Sequence, residues 1–370
     1  MKKNIIVSGV NFSEGGPLTV MKSALEFLDT SPIIAEYNVI ALVHSKKLYD
    51  NLRNIELLEF PHVKEAWKNR IKFEYFECRS LSQKLDSHLW LSLHDITPNV
   101  ISEKRAVYCH NASPFYKQNL SNFLNNPKRF LYTKFYKQLY RINIHKNDYV
   151  VVQQKWIKDA FLRLFNLKNE KVVVALPNQG KGNTENVIKN FADVKSNDFV
   201  FFYPAFPREF KNFEIICKAV EILKAKGKQK FKVKLTIDGS ENPYSKNIVD
   251  RFSKNKEIEF TGLLSKDEVE DNYALADCLV FPSKLETWGL PISEFKKYHK
   301  PMLVANLPYA YETVGNYSKV HYFDVLNEQK LAESMLAVMD GSIKYTNKGD
   351  VKYEEPLCRS WDELFKLLLK

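Results

Sequence analysis

Apolar residues in this chain fall in short continuous runs separated by amphipathic stretches. Ile5-Ile6-Val7, Val39 to Val43, Leu89 to Leu93, Ala106 to Cys109, Tyr149 to Val152 and Val172 to Leu176 read as strands buried on both faces. After the first of these, Val20, Ala24, Leu25 and Leu28 recur at helical spacing. A polar stretch from Pro177 to Thr184 has linker composition. The alternation then restarts, with strands over 199–203, 232–237, 258–260, 277–281 and 301–305. Helices are predicted over 213–226, stopped by Gly227, over 267–276, and from Pro291 onward. The chain closes on an amphipathic helix over 361–369. This order predicts an α/β protein of two doubly wound Rossmann-like domains, residues 1–180 and 181–355, facing across a cleft between the carboxyl ends of their sheets.

Bulk composition narrows the class. At 370 residues the chain can hold two cores, and 45% hydrophobic content excludes a disordered protein. The five cysteines (78, 109, 217, 278 and 358) are scattered and contain no Cys-x-x-Cys pair, so they read as reduced thiols rather than disulfides or a zinc site. No run approaches the ~18 apolar residues of a membrane span. The apolar run near the start is too short for a signal peptide, so a cytoplasmic protein, soluble or peripheral, is expected.

The net charge of +11 is concentrated. Residues 101–170 hold 13 basic and 4 acidic side chains, 13 − 4 = +9. Within them, Lys128 to Arg141 reads as a helix interleaving cations with Phe130, Leu131, Phe135, Leu139 and Ile142. One reading is a core-facing helix with a solvated basic face. The other is docking on an anionic inner-leaflet surface, where a lipid-linked acceptor would lie. Nucleic-acid binding would use the same patch, but it is not expected, because the strongest motif lies in the other half of the chain.

That motif runs from Val280 to Glu294. An apolar strand enters a loop carrying Glu286, and a helix starts near Pro291 with Glu294 in its first turn. Free N–H groups at a helix start favour phosphate, and carboxylates beside them suit hydroxyls; phosphate flanked by hydroxyls describes a nucleotide sugar. Taken alone, the pair equally fits a dipole-complementing Glu294 and a solvated Glu286. The string Pro-Ser-x-x-Glu-x-x-Gly-Leu-Pro-x-x-Glu (282–294) resembles the Glu-x7-Glu signature of family-4 retaining glycosyltransferases with the GT-B fold. The resemblance is strongest over 199–315.

It implies a role for each matching residue. Glu286 would hold donor-sugar hydroxyls and Glu294 the ribose, with Gly289 and Leu290 between them in the donor loop. Arg208 and Lys211, past the strand 199–203, would hold the diphosphate, although Arg208 departs from the family spacing. Gly262 and Leu263 resemble the segment whose backbone contacts the base. Gly15 and Gly16 resemble the glycine loop of the first domain, with Gly16 toward the donor and Gly15 toward the acceptor. His110, in Tyr108-Cys109-His110-Asn111, resembles the histidine close to the donor sugar, and Asp95 is a candidate acceptor contact. The C-terminal helix (356–370) is expected to return to the first domain.

The implied activity is metal-independent, retaining transfer of a sugar from a nucleotide sugar to a glycan or lipid-linked acceptor in bacterial surface polysaccharide synthesis. No Asp-x-Asp motif occurs, and no metal or other cofactor is expected. A sugar-nucleotide epimerase of the same fold is the alternative. The chain also departs from the family pattern: Thr287-Trp288 stand where Gly-Phe is usual, and Phe295 where alanine is.

Overall fold

The computed structural model describes residues 2–115, 127–176, 198–227 and 230–370. The polar stretch read as a linker, 177–184, lies outside them. The chain divides into two compact units, Met1–Asn178 with Tyr353–Lys370, and Gln179–Lys352. The sequence places these boundaries at 180/181 and 355/356.

In the first unit the strands are β1 (Lys3–Gly9), β2 (Tyr37–Val43), β3 (Ile55–Glu59), β4 (Ser87–Ser92), β5 (Lys104–Tyr108), β6 (Tyr149–Val152) and β7 (Val172–Ala175). The second unit holds β8 (Phe199–Tyr203), β9 (Phe231–Leu235), β10 (Ile258–Phe260), β11 (Cys278–Phe281), β12 (Met302–Ala305) and β13 (Val320–Phe323). A short β14 (Leu357–Cys358) rejoins the first sheet beside β7. The sheet orders are β14-β7-β6-β5-β4-β1-β2-β3 and β10-β9-β8-β11-β12-β13. Every pairing is parallel. Each sheet therefore reverses its strand order beside its first strand, between β1 and β4 and between β8 and β11. Ligands of doubly wound folds bind at that reversal, outside the carboxyl ends of the strands.

Burial explains the continuous apolar runs. Successive side chains of a strand point to opposite faces. Ile5 and Val7 pack with Met21, Leu25 and Leu28 of the helix Gly15–Thr30. Ile6 faces the other way, toward Phe73, Cys78 and Trp90. With helices on both sides, a β1 of alternating polarity would bury charge, so the run is apolar throughout.

Among the elements the sequence missed are β3, β13, β14 and the helices Cys78–Lys84, Lys155–Phe165, Pro243–Phe252, Pro308–Val314 and Glu328–Met339. β3 is an edge strand with only Ile55 fully buried, so it shows no apolar run. The missed helix at 243 did carry a start signal: Asn242 and Ser245 form a capping box ahead of Pro243.

The terminal helix, Trp361–Leu368, packs into the first unit. Ser360 caps it, accepting from Glu363 N–H at 3.2 Å. Trp361 Nε1 donates to Ser23 Oγ at 3.0 Å, and Phe365 stacks on Phe27 with ring centroids 6.0 Å apart. Phe365 is fully buried among β-strand and helix side chains. Phe365→Ala should therefore cost the first unit about 3–5 kcal/mol. Denaturant unfolding would read this, with hydrogen exchange of β1 locating the loss; a cost below about 1 kcal/mol would show that the helix docks without supporting the core.

Candidate active site

In the second unit, the loops after β8 and β11 meet at the strand-order reversal and are bonded to each other. Lys284 N–H donates to Phe210 O at 2.7 Å, and Tyr203 OH to Lys211 O at 2.9 Å. Asn212 is buried in the left-handed region (φ 61°), and its amide donates to Pro282 O and Val325 O at 3.3 and 3.0 Å. Asparagine tolerates that conformation better than most residues. This fixed frame brings Lys211 Nζ to 2.5 Å from Glu286 Oε1, with both side chains largely buried. Lys211 Nζ also lies 5.9 Å from the centre of the Phe281 ring. A cation and a carboxylate thus share the mouth of the sheet, one suited to phosphate and the other to hydroxyls.

Arg208 is on the same turn but not in the pair. It is extended and exposed, with its guanidinium 5.0 Å from the centre of the Phe206 ring. No carboxylate pairs with it among the described residues. Lys211 lies in the short turn Glu209–Lys211 that precedes the helix Phe213–Lys226 rather than in the helix itself.

The helix after β11 starts at Leu290, with Pro291 in its first turn, and spans only six residues to Phe295. Gly289 before it has φ 88°, which only glycine adopts without strain. Pro291 has no N–H and Ile292 N–H is spent on Gly289 O at 3.0 Å, which thins the expected phosphate-facing N–H groups at this start. The cation across the loop is the phosphate-seeking group instead. Leu290 is exposed. Trp288 is buried, and its Nε1 donates to Ser293 Oγ at 2.8 Å, tying the loop to the helix.

Glu294 is half-buried, and its Oε2 accepts from Tyr273 OH at 2.8 Å. Burial pushes its carboxyl up from the ordinary value, against the tyrosine hydrogen bond, which pulls it down. Tyr273 belongs to the helix Lys266–Leu275, which starts just past Gly262 and Leu263. Gly262 is buried and Leu263 exposed, at the end of β10. The Gly262–Leu263 loop and Glu294 are therefore joined through one helix. Sequence reasoning missed Tyr273 and Asn212: the first lies in an ordinary helix, and the second reveals itself only through its backbone angle.

In the first unit, Gly15 and Gly16 are exposed at the start of the helix Gly15–Thr30, and Gly15 has φ 73°. No side chain caps that start. Asp95, expected as an acceptor contact, is engaged within the unit through one oxygen. It is buried with φ 75°, and its Oδ1 accepts from His110 N–H at 2.6 Å, Asn111 N–H at 2.9 Å and Tyr140 OH at 3.0 Å. Asp95 therefore fixes the loop that carries His110. The His110 ring stacks on Tyr108 at 4.6 Å and meets Phe12 edge-on at 5.8 Å. Its Nε2 is buried with no hydrogen-bond partner, and burial lowers its pKa. A neutral imidazole with one uncommitted nitrogen can bond a sugar hydroxyl only where its loop opens that nitrogen to one, since it is buried as it stands.

Beneath this loop lies a sealed polar line. Ser8 Oγ is 3.1 Å from His94 Nε2, and His94 Nδ1 is 3.1 Å from Glu74 Oε1. Arg70 Nη2 donates to His94 O at 2.6 Å. Serine, histidine and acid in this order resemble an acyl-transfer triad. Ser8 is 1% exposed and His94 and Glu74 are 0%, so no substrate reaches them. They tie Ser8 of β1 to the segment that follows β4 and leads into Asp95. Burial pushes Glu74 up to about 8 despite Arg70, and burial and Arg70 hold His94 well below the usual imidazole range.

The basic helix spans Pro127–Arg141. It buries Tyr136, Leu139 and Tyr140 against the first-unit core. Its outer face is not purely polar: Leu131 is 60% and Phe135 44% exposed, beside Lys134, Lys137, Gln138 and Arg141. Trp67, 43% exposed, meets Phe135 edge-on at 5.9 Å.

Residues 183–353 match the model of the family described as glycosyl transferases group 1. Over 217 residues the chain is 21% identical to O-antigen chain mannosyltransferase RfbU of Salmonella typhimurium, covering 57% of this chain. That match spans about half (55%) of the relative's length. A glycosyltransferase from Rickettsia africae superposes with a TM-score of 0.62, at 16% identity, over 92% of this chain and 88% of that one. Anabaena Alr3699/HepE, solved in complex with UDP-glucose, gives 0.61 at 14% identity over 92% and 90%. The fold is that of GT-B glycosyltransferases, an α/β protein with two parallel-sheet domains.

Glu74 holds its proton more tightly folded than unfolded. The stability it contributes is full below the ordinary carboxyl value of 4.5 and is lost as pH rises to about 8. Glu74's share of that loss is up to about 1.4 kcal/mol per pH unit across the window, while His94 and His110, held low by burial, pull the other way below the ordinary imidazole value. Glu74→Gln, which keeps the shape and removes the titration, should flatten the slope. Denaturant unfolding at pH 5 and pH 8 would show this, and an unchanged slope in the variant would assign the pH dependence to another group.

Proposed function

We propose that this chain, whose residues 183–353 match the glycosyl transferases group 1 family, is a retaining glycosyltransferase. It moves a hexose from a nucleotide sugar to a glycan or lipid-linked acceptor in bacterial surface polysaccharide synthesis. The observation that carries this reading is the Lys211–Glu286 pair at the β8/β11 reversal, with Glu294 held by Tyr273 on the same loop–helix segment. The mannosyltransferase relative and the UDP-glucose complex of a structural neighbour support the same substrate class.

The chemistry follows from the groups present. Departure of a nucleoside diphosphate builds negative charge, which Lys211 meets directly and Arg208 meets by swinging off Phe206. The donor phosphate takes over the lysine, and this frees Glu286 for the sugar hydroxyls. Glu294 accepts from the ribose. As the glycosidic bond breaks, the anomeric carbon becomes oxocarbenium-like. None of the residues assigned to the site is placed as a covalent nucleophile, which favours acceptor attack from the face the diphosphate leaves, with the acceptor hydroxyl's proton passing to the departing phosphate oxygen and with retention. Within the first unit, His110 Nε2 serves a sugar hydroxyl. The charge on the leaving group is met by side chains, so no metal is required.

The exposed Leu131 and Phe135, ringed by cations, give the basic helix a face suited to anionic lipid: apolar side chains enter the headgroup boundary while lysine and arginine meet phosphate. No described helix is long and apolar enough to cross a membrane.

With a donor found from a panel of nucleotide sugars, Lys211→Ala and Glu286→Gln should each lower kcat by about 10²-fold or more. Turnover should survive EDTA, and the product's anomeric proton coupling should show the donor's configuration. Full activity in both variants would remove the site assignment; an inverted product would remove retention. On vesicles, the protein should float with phosphatidylglycerol and not with phosphatidylcholine alone. Leu131→Glu with Phe135→Glu should abolish the flotation, and flotation that ignores lipid charge would sink the docking proposal.

A further inference from the structure

Glu294 is held from one side only. Its Oε2 accepts from Tyr273 OH at 2.8 Å, and no described residue bonds its Oε1. Tyr273 is 0% exposed, and its ring is caged by Phe202 at 5.6 Å, Phe295 at 5.6 Å and Tyr298 at 5.9 Å. A tyrosine this enclosed has no freedom to redirect its hydroxyl, so the hydroxyl is a fixed donor. The neighbouring charges are committed elsewhere: Lys297 Nζ and Tyr298 OH each donate to Glu270 Oε2 at 2.6 Å. Phe295, which stands where the family has alanine, supplies one wall of the cage.

We infer that Tyr273 is a positioning residue for donor recognition, its hydroxyl occupying Glu294 Oε2 and leaving Oε1 as the acceptor for the ribose hydroxyls of a nucleoside diphosphate. This rests on the second unit being the nucleotide-sugar site. Two adjacent hydroxyls need an ionised carboxylate whose plane is already set; otherwise ligand binding must order it. Tyr273 supplies both requirements. Its hydrogen bond fixes the carboxylate and favours the ionised form against burial. The other groups acting on Glu294 are Glu270 and Lys266 of the same helix as Tyr273, and Lys297 of the turn after Phe295. Glu270 disfavours the ionised form and the two lysines favour it.

The test is calorimetric titration of the full chain and of Tyr273→Phe with UDP, GDP and their 2′-deoxy counterparts. For the base that binds, the wild type should prefer the ribonucleotide by about tenfold, the scale of a hydrogen bond to a charged group. In Tyr273→Phe the preference should fall to about twofold, with affinity for the deoxynucleotide, which keeps only the 3′ hydroxyl, falling less than that for the ribonucleotide. Ribonucleotide binding should weaken as pH falls through the Glu294 titration, and that loss should begin at higher pH in the variant, which lacks the hydrogen bond holding the value down. A variant that keeps the tenfold preference and the wild-type pH profile would overturn the role of Tyr273 while leaving the donor site intact. Equal wild-type affinity for ribo- and deoxynucleotides would overturn it by removing Glu294 from the ribose. Failure of every nucleotide to bind the wild type would instead remove the donor-site reading. The phenylalanine keeps the ring packing, so an unfolded variant would also overturn the proposal, by making the bond structural first.

Discussion

A parallel sheet whose strand order reverses beside its first strand must send the connections of the two flanking strands to opposite faces. Their loops leave the same edge and diverge, so a gap opens at that edge with backbone on both sides. Both units obey this constraint, at β1/β4 and at β8/β11. Everything chemical in the second unit is arranged by it. Lys211 leaves the β8 loop, Glu286 leaves the β11 loop, and they meet because β8 and β11 are hydrogen-bonded neighbours. Asn212 and Lys284 then lock the loops to each other through backbone atoms, so the pair sits on a frame rather than on two mobile tips.

Much of this could be read from the chain before any coordinates. Strands buried on both faces need apolar runs, and β1, β2, β4, β6, β8 and β11 show them plainly. Glycine and proline at 289 and 291 mark the turn from strand to helix, and the spacing of Glu286 and Glu294 then puts one carboxylate in the loop and the other in the helix. The edge strand β3 escaped because it offers only Ile55 to the core. Pairings between distant segments escaped as well. Nothing in the string Lys-Asn-Phe at 211–213 says that the asparagine will be left-handed and bridge to 282 and 325.

The first unit shows how a residue type can mislead. Asp95 ends a strand at the ligand edge, where a carboxylate suggests a binding role. Its three donors come from Tyr140, far along the chain, and from the backbone of residues 110 and 111. Only folding reveals that the carboxylate is spent holding His110 in place. The Ser8–His94–Glu74 line teaches the same lesson more sharply. Its order suits a nucleophile, but burial denies it a substrate, and geometry without access is support.

Glu286 and Glu294 look alike in sequence but end in unlike surroundings, and the difference indicates what each can do. Glu286 faces a cation that a phosphate would compete for, so under the proposed function ligand binding would release the carboxylate. Its availability is conditional. Glu294 faces a neutral hydroxyl that no phosphate displaces, and burial works against its charge, so its orientation is set before any ligand arrives. A site built this way can recognise the nucleoside through the fixed carboxylate and engage the sugar only after the diphosphate has taken the lysine. Under the proposed function, a free sugar without its nucleotide then finds Glu286 still closed by Lys211, and the ion pair becomes a guard against unproductive binding.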